Sequence, residues 1–323
     1  MRIPLRIPPA SAFPFDVVGC GLNSLDLLAV VAEHPAPDTK QRLQRVTKQP
    51  GGQIATALRA CARLGWRTRY IGRFGADEHG RLARAAVEGA GVDVAFAPLV
   101  EGAANQFAII LVDARSGGRC VLWDRHPGIA MGAADVDPAA AASGRMLIVD
   151  CHETAAATRA ATLARAAGIP TVVDVEKVRP GINDLLATID AVIAATDFPA
   201  ALTGHDEPGK AIRAIAHEFG SALVTVTLGP EGSLTFSGGR EIRTPAFPVD
   251  VVDTTGAGDV FRGGFVAACL RSPDGELEDA LAFASAAAAL NCRALGAGAG
   301  LPTEAEIDAL IRAGFNLPSG RPV

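Results

Sequence analysis

The sequence predicts an α/β protein in which a mostly parallel central sheet is covered by helices on both faces. Three observations carry this prediction: short apolar runs alternate with Ala-rich helical stretches, a Gly-rich turn leads into a helix, and two β-rich segments interrupt the alternation. Right-handed crossovers between parallel strands bring the loops that follow the strands to one edge of the sheet. We therefore expect the functional residues at that edge.

The apolar runs have the length and composition of buried strands, and the stretches between them favour helix. Strands are predicted at Phe15–Cys20, Met146–Cys151, Thr171–Val175, Asp190–Ala194 and Ala222–Leu228, with a further apolar strand ending at Asp253. Helices are predicted at Thr154–Ala167, Asp184–Thr188 and Lys210–Phe219.

Two segments do not fit the alternation. Val30–Thr47 carries proline and mixed charges, and Phe107–Trp123 has the pattern of a hairpin that turns at Arg115-Ser116-Gly117-Gly118. We expect both to supply strands outside the main sheet, as a small lid formed from about residues 30–50 and 105–125. Because no linker or internal repeat divides the chain, residues 1–323 are predicted to form a single domain.

Composition and charge exclude several classes of protein. The 323 residues are 49% hydrophobic and 20% charged, which excludes a disordered chain or a coiled coil. Lys and Arg number 30 against 35 Asp and Glu, so the chain lacks the positive charge that nucleic-acid binding requires.

The cysteines and the apolar stretches bear on the cellular environment. The six cysteines are far apart and never form a C-x-x-C pair, which indicates reduced thiols, not disulfides or a zinc site. Met1–Phe15 is interrupted by prolines, and Leu281–Leu290 is too short to span a bilayer. We expect a cytoplasmic protein without a membrane partner.

The segment Val251–Phe265, VVDTTGAGDVFRGGF, is the most informative of the chain. Gly256-Ala257-Gly258 turns into a helix that begins near Val260, and the free N–H groups at a helix start form a site for phosphate oxygens. Asp259 in the same turn is placed to accept a proton from a hydroxyl that attacks the phosphate. A tight turn with Asp259 as N-cap is the alternative interpretation.

Two further segments have the residue types of a polyol site. In PGGQIATALRACARLG, a helix is predicted just after Gly51-Gly52, and a diglycine there allows close approach of a ligand. In GCGLNSLD, the third glycine of a dinucleotide fingerprint is missing, so Asn23 and Asp26 are candidates to bind hydroxyls instead. Ordinary turns remain the alternative at both segments, and Arg125 is a candidate substrate clamp or a surface ion pair.

The combination of DTTGAGDVFRGG with an earlier PGG at a helix start resembles the PfkB/ribokinase family of carbohydrate kinases, over roughly Asp16 to Pro302. The resemblance implies a three-layer α/β/α ribokinase-like fold with a small β-sheet lid, often shared in a homodimer. It also implies transfer of the ATP γ-phosphate to a hydroxymethyl group of a sugar or nucleoside, with Mg²⁺.

The resemblance assigns roles to residues that match the family's motifs. Asp259 corresponds to the catalytic base, and Gly256, Ala257 and Gly258 to the anion hole. The resemblance also places Asp26, Gly51 and Gly52 on the sugar side, Thr227, Gly229, Gly232 and Ser285 on the nucleotide side, and Asp253 and Thr255 at a monovalent cation (K⁺) site. Asn23, Thr56 and Arg125 complete the predicted substrate-binding residues, although the resemblance itself does not assign them.

The sequence departs from the family at two places. Thr56 stands where the family usually has Asn, and Ala195–Phe198 reads ATDF where the family has an N-x-x-E motif linked to magnesium and phosphate. Ketohexokinases resemble this chain in lacking that motif and in sharing runs similar to Asp174–Arg179 and Ser116–Arg125, so a ketose is a candidate acceptor. A nucleoside kinase and a catalytically silent sugar- or nucleotide-sensing protein are the alternative functions.

Overall fold

The computed structural model describes residues 1–115 and 118–315, along which strands and helices alternate. The strands are β1 (Val17–Cys20), β2 (Ser24–Val31), β3 (Arg45–Gly51), β4 (Thr68–Ile71), β5 (Phe74–Gly75), β6 (Val92–Phe96), β7 (Leu99–Val100), β8 (Phe107–Asp113), β9 (Arg119–Asp124), β10 (Met146–Asp150), β11 (Thr171–Val175), β12 (Ala191–Ala194), β13 (Leu223–Thr227), β14 (Ser233–Ser237) and β15 (Arg240–Thr244). The α-helices are α1 (Gln53–Arg63), α2 (Glu78–Gly89), α3 (Pro138–Ala141), α4 (Thr154–Ala166), α5 (Ile182–Leu186), α6 (Phe198–Thr203), α7 (Pro208–Phe219), α8 (Ala257–Arg271), α9 (Leu277–Asn291) and α10 (Glu304–Phe315).

The central sheet has the strand order β15-β14-β13-β12-β11-β10-β1-β4-β6. All neighbours from β13 to β6 run parallel, whereas β14 and β15 pair antiparallel at one end. The predicted mostly parallel sheet is confirmed. Its parallel strands end at a common edge, where the segments after β1, β10 and β11 meet.

Alternate residues of the strands point to opposite faces, and each face is covered by helices. On one face Val17, Met146 and Ile148 belong to a buried apolar cluster with residues of α1, α8 and α9. On the other face Val18 and Leu147 belong to a second cluster, with residues of α4, α5 and α7. Strands that are apolar on both sides require helices on both sides, so the three-layer architecture follows from their composition.

The lid is a separate sheet with the strand order β3-β2-β8-β9. In chain order, its first strand is β2, which begins at Ser24. The lid therefore starts earlier than the predicted bound near residue 30, and it includes Asp26. The predicted hairpin is formed by β8 and β9, although Ser116 and Gly117 of its turn lie outside the described residues. On the inner face Leu28, Ile110 and Val112 pack against Leu295 from the main body of the protein.

The core beneath α8 is expected to carry much of the stability. Phe265 is fully buried on α8, which packs against α1 and α9. Replacing it by Ala removes apolar contacts and leaves a cavity, so we expect Phe265→Ala to lower the free energy of unfolding by about 3–5 kcal/mol in urea denaturation. The control Leu82→Ala, on the exposed side of α2, should change it by less than about 0.5 kcal/mol. Equal losses in both variants would contradict this view of the core.

Candidate active site

The Gly-rich turn lies at the start of α8. Gly256 is the N-cap of α8 and has a left-handed backbone, with φ of 76°. A Cβ at this position would lie 2.6 Å from the Cα of Ala297, so both the conformation and the close packing require glycine. The first-turn amides of α8, including those of Ala257, Gly258 and Asp259, surround this turn. The amide of Ala257 donates to the Thr254 carbonyl. The amides of Gly258 and Asp259 belong to the first turn, whose N–H groups a helix leaves available to an anion.

Asp253 braces this turn from below. It is buried, and its Oδ1 accepts hydrogen bonds from the amide of Thr255 at 3.0 Å and from the Thr255 hydroxyl at 2.8 Å. Its Oδ2 accepts from the amide of Gly296 at 2.8 Å. One carboxylate thus joins the turn before α8 to the loop after α9.

The predicted apolar strand that ends at Asp253 is wrong. The chain between Thr244, at the end of β15, and Gly256 forms no strand, and Val251 and Val252 are exposed. The physical reason is that Pro245 and Pro248 interrupt ladder pairing, while the amides of Val252 and Asp253 donate to the carbonyl of Cys292 in a loop.

Asp259 is partly exposed in the first turn of α8. Burial raises the pKa of its carboxyl to about 7, and the negative charges of Glu176 and Asp26 act in the same direction. Arg262 and Arg119 oppose this increase in pKa. A carboxyl with a pKa near neutrality, close to a helix N-terminus, has the properties of a general base.

Asp26, Gly51 and Gly52 come together where the lid meets α1. The Ser24 hydroxyl donates to Asp26 Oδ1 at 2.7 Å, and burial raises the pKa of Asp26 to about 6. A Cβ on Gly51 would lie 1.9 Å from Asp26 Oδ2, and one on Gly52, which has φ of 92°, would lie 2.4 Å from the Cα of Asn23. The two glycines are needed because the chain at the end of β3 passes so close to β2 and to the segment that precedes β2.

Asn23 and Thr56 each keep an unsatisfied polar atom. The side-chain amide of Asn23 donates to the Tyr70 hydroxyl at 2.9 Å and to the Arg73 carbonyl at 2.8 Å. Within residues 1–115 and 118–315, its buried Oδ1 has no hydrogen-bond partner, and neither does the hydroxyl of Thr56, which is fully buried on α1. Asn23 Oδ1 therefore retains the capacity to accept a hydrogen bond from a ligand hydroxyl.

Arg125 is already engaged with the protein. Its Nη2 donates to Glu153 Oε1 at 2.6 Å and to the Ile129 carbonyl at 3.4 Å. It lines a small cavity together with Asn23 and Asp150. The structure thus shows an ion pair at the border of the site.

The residues predicted on the nucleotide side lie at the end of β13 and on α9. The Thr227 hydroxyl donates to the Ala194 carbonyl at 3.2 Å, and Gly229 begins a short 3₁₀ turn after it. A Cβ on Gly232 would lie 2.0 Å from the carbonyl oxygen of Thr244. Ser285 is buried on α9 and donates to the Pro245 carbonyl at 2.9 Å, so its hydroxyl is used in holding the loop after β15.

The sequence patterns did not single out Arg119, which the lid brings to the Gly-rich turn. Arg119 is the first residue of the exposed strand β9, and its Nη1 donates to the Thr254 hydroxyl. The side-chain amide of Gln49 on β3 also donates to the Leu295 carbonyl at 2.7 Å. The lid is therefore closed onto both loops that Asp253 joins. Arg119 lies within the sequence run Ser116–Arg125, but only the fold shows that it contacts Thr254.

The acidic residues fit a magnesium ion held mainly through phosphate. Within residues 1–115 and 118–315 there is no group of three or more acidic, His or Cys side chains that could hold a metal by itself. Mg²⁺ usually keeps several waters and takes one or two carboxylates together with nucleotide phosphates. Glu176 lies close enough to Asp259 for electrostatic interaction, and it is the candidate for such a carboxylate.

Within the described part of the chain, none of the helices combines the length and the apolar composition needed to span a bilayer.

Comparison with known proteins identifies the family. Residues 15–304 match the pfkB family of carbohydrate kinases. The chain belongs to this family. It is therefore an ATP-dependent phosphotransferase, a sugar or nucleoside kinase of the PfkB family.

Individual relatives differ in their acceptors. The chain is 30% identical to an ATP-dependent ribose-1-phosphate kinase of Halopiger xanaduensis, over 87% of this chain and 93% of that protein. It is 31% identical to a fructokinase of Klebsiella pneumoniae, over 82% and 92% respectively. A structure of Arabidopsis thaliana ribokinase complexed with ribose and ATP superimposes with a TM-score of 0.79 at 25% identity, covering 92% of this chain and 99% of that one.

The carboxyl of Asp259 is expected to titrate near pH 7 because burial disfavours its charged form. Carbon NMR of protein labelled at the Asp carboxyl groups measures this directly, and the signal is assigned by its loss in Asp259→Asn. A midpoint below about pH 5 would contradict the environment described for this residue.

Proposed function

We propose that this protein phosphorylates a primary hydroxyl of a sugar or sugar derivative, with Asp259 as the general base and Gly256, Ala257 and Gly258 as the anion hole. The observation that carries the proposal is the position of Asp259. Asp259 lies in the first turn of α8, and its carboxyl has a pKa of about 7. The negative charge of Asp26 is one of the effects that raise this pKa. One carboxyl thereby stands between a phosphate site and a hydroxyl site.

The chemistry follows from what each group can do. When bound, ATP supplies the γ-phosphoryl group and Mg²⁺ supplies positive charge on its oxygens. Ionised Asp259 accepts the proton of the acceptor hydroxyl as that oxygen attacks the γ-phosphorus and the bond from this phosphorus to ADP breaks, so that ADP is the leaving group. General-base help of this kind typically contributes about 10²–10⁴-fold. The amides of the first turn of α8 donate to the oxygens of the transferring phosphoryl group. The closed lid keeps water, a competing acceptor, away from Asp259.

The acceptor is bound by groups whose hydrogen-bonding capacity the protein leaves unused. Asn23 Oδ1 is buried and has no hydrogen-bond partner among the residues that the structure describes, and Asp26 receives a hydrogen bond from Ser24. These acceptor oxygens suit hydroxyl donors. Similarity to a fructokinase supports a ketose. A nucleoside base would need stacking partners, yet Tyr70, the single tyrosine, is fully buried and donates to the Gly21 carbonyl at 2.7 Å.

A monovalent cation such as K⁺ at Asp253 and Thr255 remains a prediction. Both carboxylate oxygens of Asp253 already accept hydrogen bonds within the protein. A cation there would share these oxygens, and its effect would be to stiffen the turn before α8.

The first experiment is ADP release from ATP and Mg²⁺ in the presence of ketoses, aldoses, pentose 1-phosphates, sugar acids and nucleosides. We expect one sugar class to raise ADP release, and Asp259→Asn to lower kcat by at least about 10²-fold while it still binds ATP, because the base is lost and the anion hole stays. The acidic limb of kcat/KM in the parent should follow the pKa of Asp259, since activity requires its ionised form.

The control is Asp250→Asn, an exposed acid on the loop before α8, which should keep the activity of the parent. Near-normal turnover in Asp259→Asn would refute the role of that residue. ATP binding without release of ADP for any acceptor would instead favour a sensing protein.

We further propose that the lid mediates a homodimer. Its outer face exposes Val46, Ile109 and Leu122, with 49%, 36% and 55% of their surface accessible, and Ile109 and Leu122 are directly paired across β8 and β9. A second copy that covers this face would bury apolar surface and shield the edge strand β9.

Light scattering should therefore give twice the chain mass of 33.1 kDa for the parent. Leu122→Asp places a charge in the apolar face and is expected to give the mass of one chain. Leu82→Asp, at an exposed position on α2, is the matched control and should remain dimeric. A monomeric parent would refute the proposal.

A further inference from the structure

A buried ion pair lies beneath the Gly-rich turn. Nη2 of Arg262, on α8, is 2.8 Å from Oδ1 of Asp174, on β11, and the two side chains are only 4% and 2% exposed. The same nitrogen donates to the Ile193 carbonyl at 3.3 Å. The pair therefore links α8 to two neighbouring strands at the edge of the sheet where the candidate site lies.

The guanidinium of Arg262 lies against the turn itself. A Cβ on Gly258 would lie 2.3 Å from Arg262 Nη1, so the guanidinium occupies the place that a side chain at position 258 would take. Arg262 follows Asp259 by three residues, and long side chains in a helix point back toward its N-terminus. Its charge is thereby directed at the first turn of α8.

Stability alone is a poor explanation for this pair. Desolvating two charges offsets their attraction, and apolar residues of similar volume often serve a core equally well. The pair also contributes to the electrostatic environment of Asp259. Asp259 is faced by Glu176 after β11, Asp26 on β2 and Arg119 on β9, as well as by Arg262 on its own helix. Asp174 lies within the same field, because the charge of Asp259 helps to raise its pKa.

Arg262 and Arg119 are the two cations that most lower the pKa of Asp259 against the effects of burial and the two acids. They differ in how they are held. Arg119 reaches the turn from the lid, whereas Arg262 is fixed inside the main body by Asp174 and Ile193. Only Arg262 provides its charge independently of the lid.

We propose that Arg262 is a positioning residue of the phosphoryl-transfer site: anchored by Asp174 and packed against Gly258, it holds a permanent positive charge beneath the anion hole and beside Asp259. The inference rests on the proposed function, for which it supplies a reason why the general base is ionised when the acceptor binds. It also gives glycine at position 258 a specific purpose, since any side chain there would displace the guanidinium.

The test compares Arg262→Met with the double variant Arg262→Met/Asp174→Leu. The single variant leaves Asp174 buried without its partner and is expected to be less stable, whereas the double variant removes both charges and should fold. In the double variant we expect the acidic limb of kcat to move upward by about one pH unit, because the ionised form of Asp259 loses the charge of Arg262, which acts on it more strongly than the charge of Asp174 does. Arg262→Lys keeps the charge and should largely restore the parent profile.

Arg145→Met is the matched control. Arg145 and Asp16 form another buried ion pair, at 3.3 Å, just before β10 and β1 and so at the opposite edge of the sheet. Its loss should change thermal stability and leave the pH profile as in the parent. A double variant at positions 262 and 174 with the parent profile would overturn the inference and leave the pair a structural one.

The carboxyl titration of Asp259 separates this inference from the proposed function. If the parent phosphorylates no acceptor, the proposed function fails, yet carbon NMR still reports the titration midpoint of Asp259 in the parent and in the double variant. An upward shift of about one unit supports the role of Arg262, and an unchanged midpoint refutes it.

Discussion

The hydrogen bonds of Asp253 are the constraint on which the active edge of this protein depends. One buried carboxylate holds the turn before α8 and the loop after α9 in a fixed relation. Gly256 can then adopt its left-handed conformation against Ala297, and the first-turn N–H groups of α8 stay available to an anion. Loss of these hydrogen bonds would leave a buried charge unpaired and release the helix start at the same time.

The lid packs against the two loops that Asp253 holds together. Leu295, in the loop that Asp253 holds, packs under the inner face of the lid, and Arg119 and Gln49 attach β9 and β3 to the same two loops. The proposed phosphate site and the proposed hydroxyl site are therefore parts of one assembly. Such coupling is useful in a kinase, since a lid closed over both sites shields the transferring group from water.

The electrostatics of the site balance opposing effects on one carboxyl. Burial and two neighbouring acids raise the pKa of Asp259 to about 7, while two arginines oppose them. Without the arginines the pKa of this carboxyl would be higher, so a smaller fraction of it would be ionised and able to accept a proton. At the place of the family's N-x-x-E motif, Ala195–Phe198 contains Asp197 as its only charged side chain. The charges around Asp259 are therefore more significant in this chain.

The sequence by itself determined the layered fold, the helix that follows the Gly-rich turn and the diglycine at α1, because apolar period, glycine spacing and local turn chemistry are written in neighbouring residues. The helix starts at Ala257, three residues before the predicted start near Val260. The sequence failed at Val251–Asp253, where apolar residues suggest a strand but prolines and two hydrogen bonds to the Cys292 carbonyl produce a loop. Only the tertiary structure brought Arg119 to Thr254, Asp174 to Arg262 and Asp253 to Gly296. Each of these contacts joins residues that are 43 to 135 positions apart along the chain. No local sequence pattern encodes which distant side chain fills a given space.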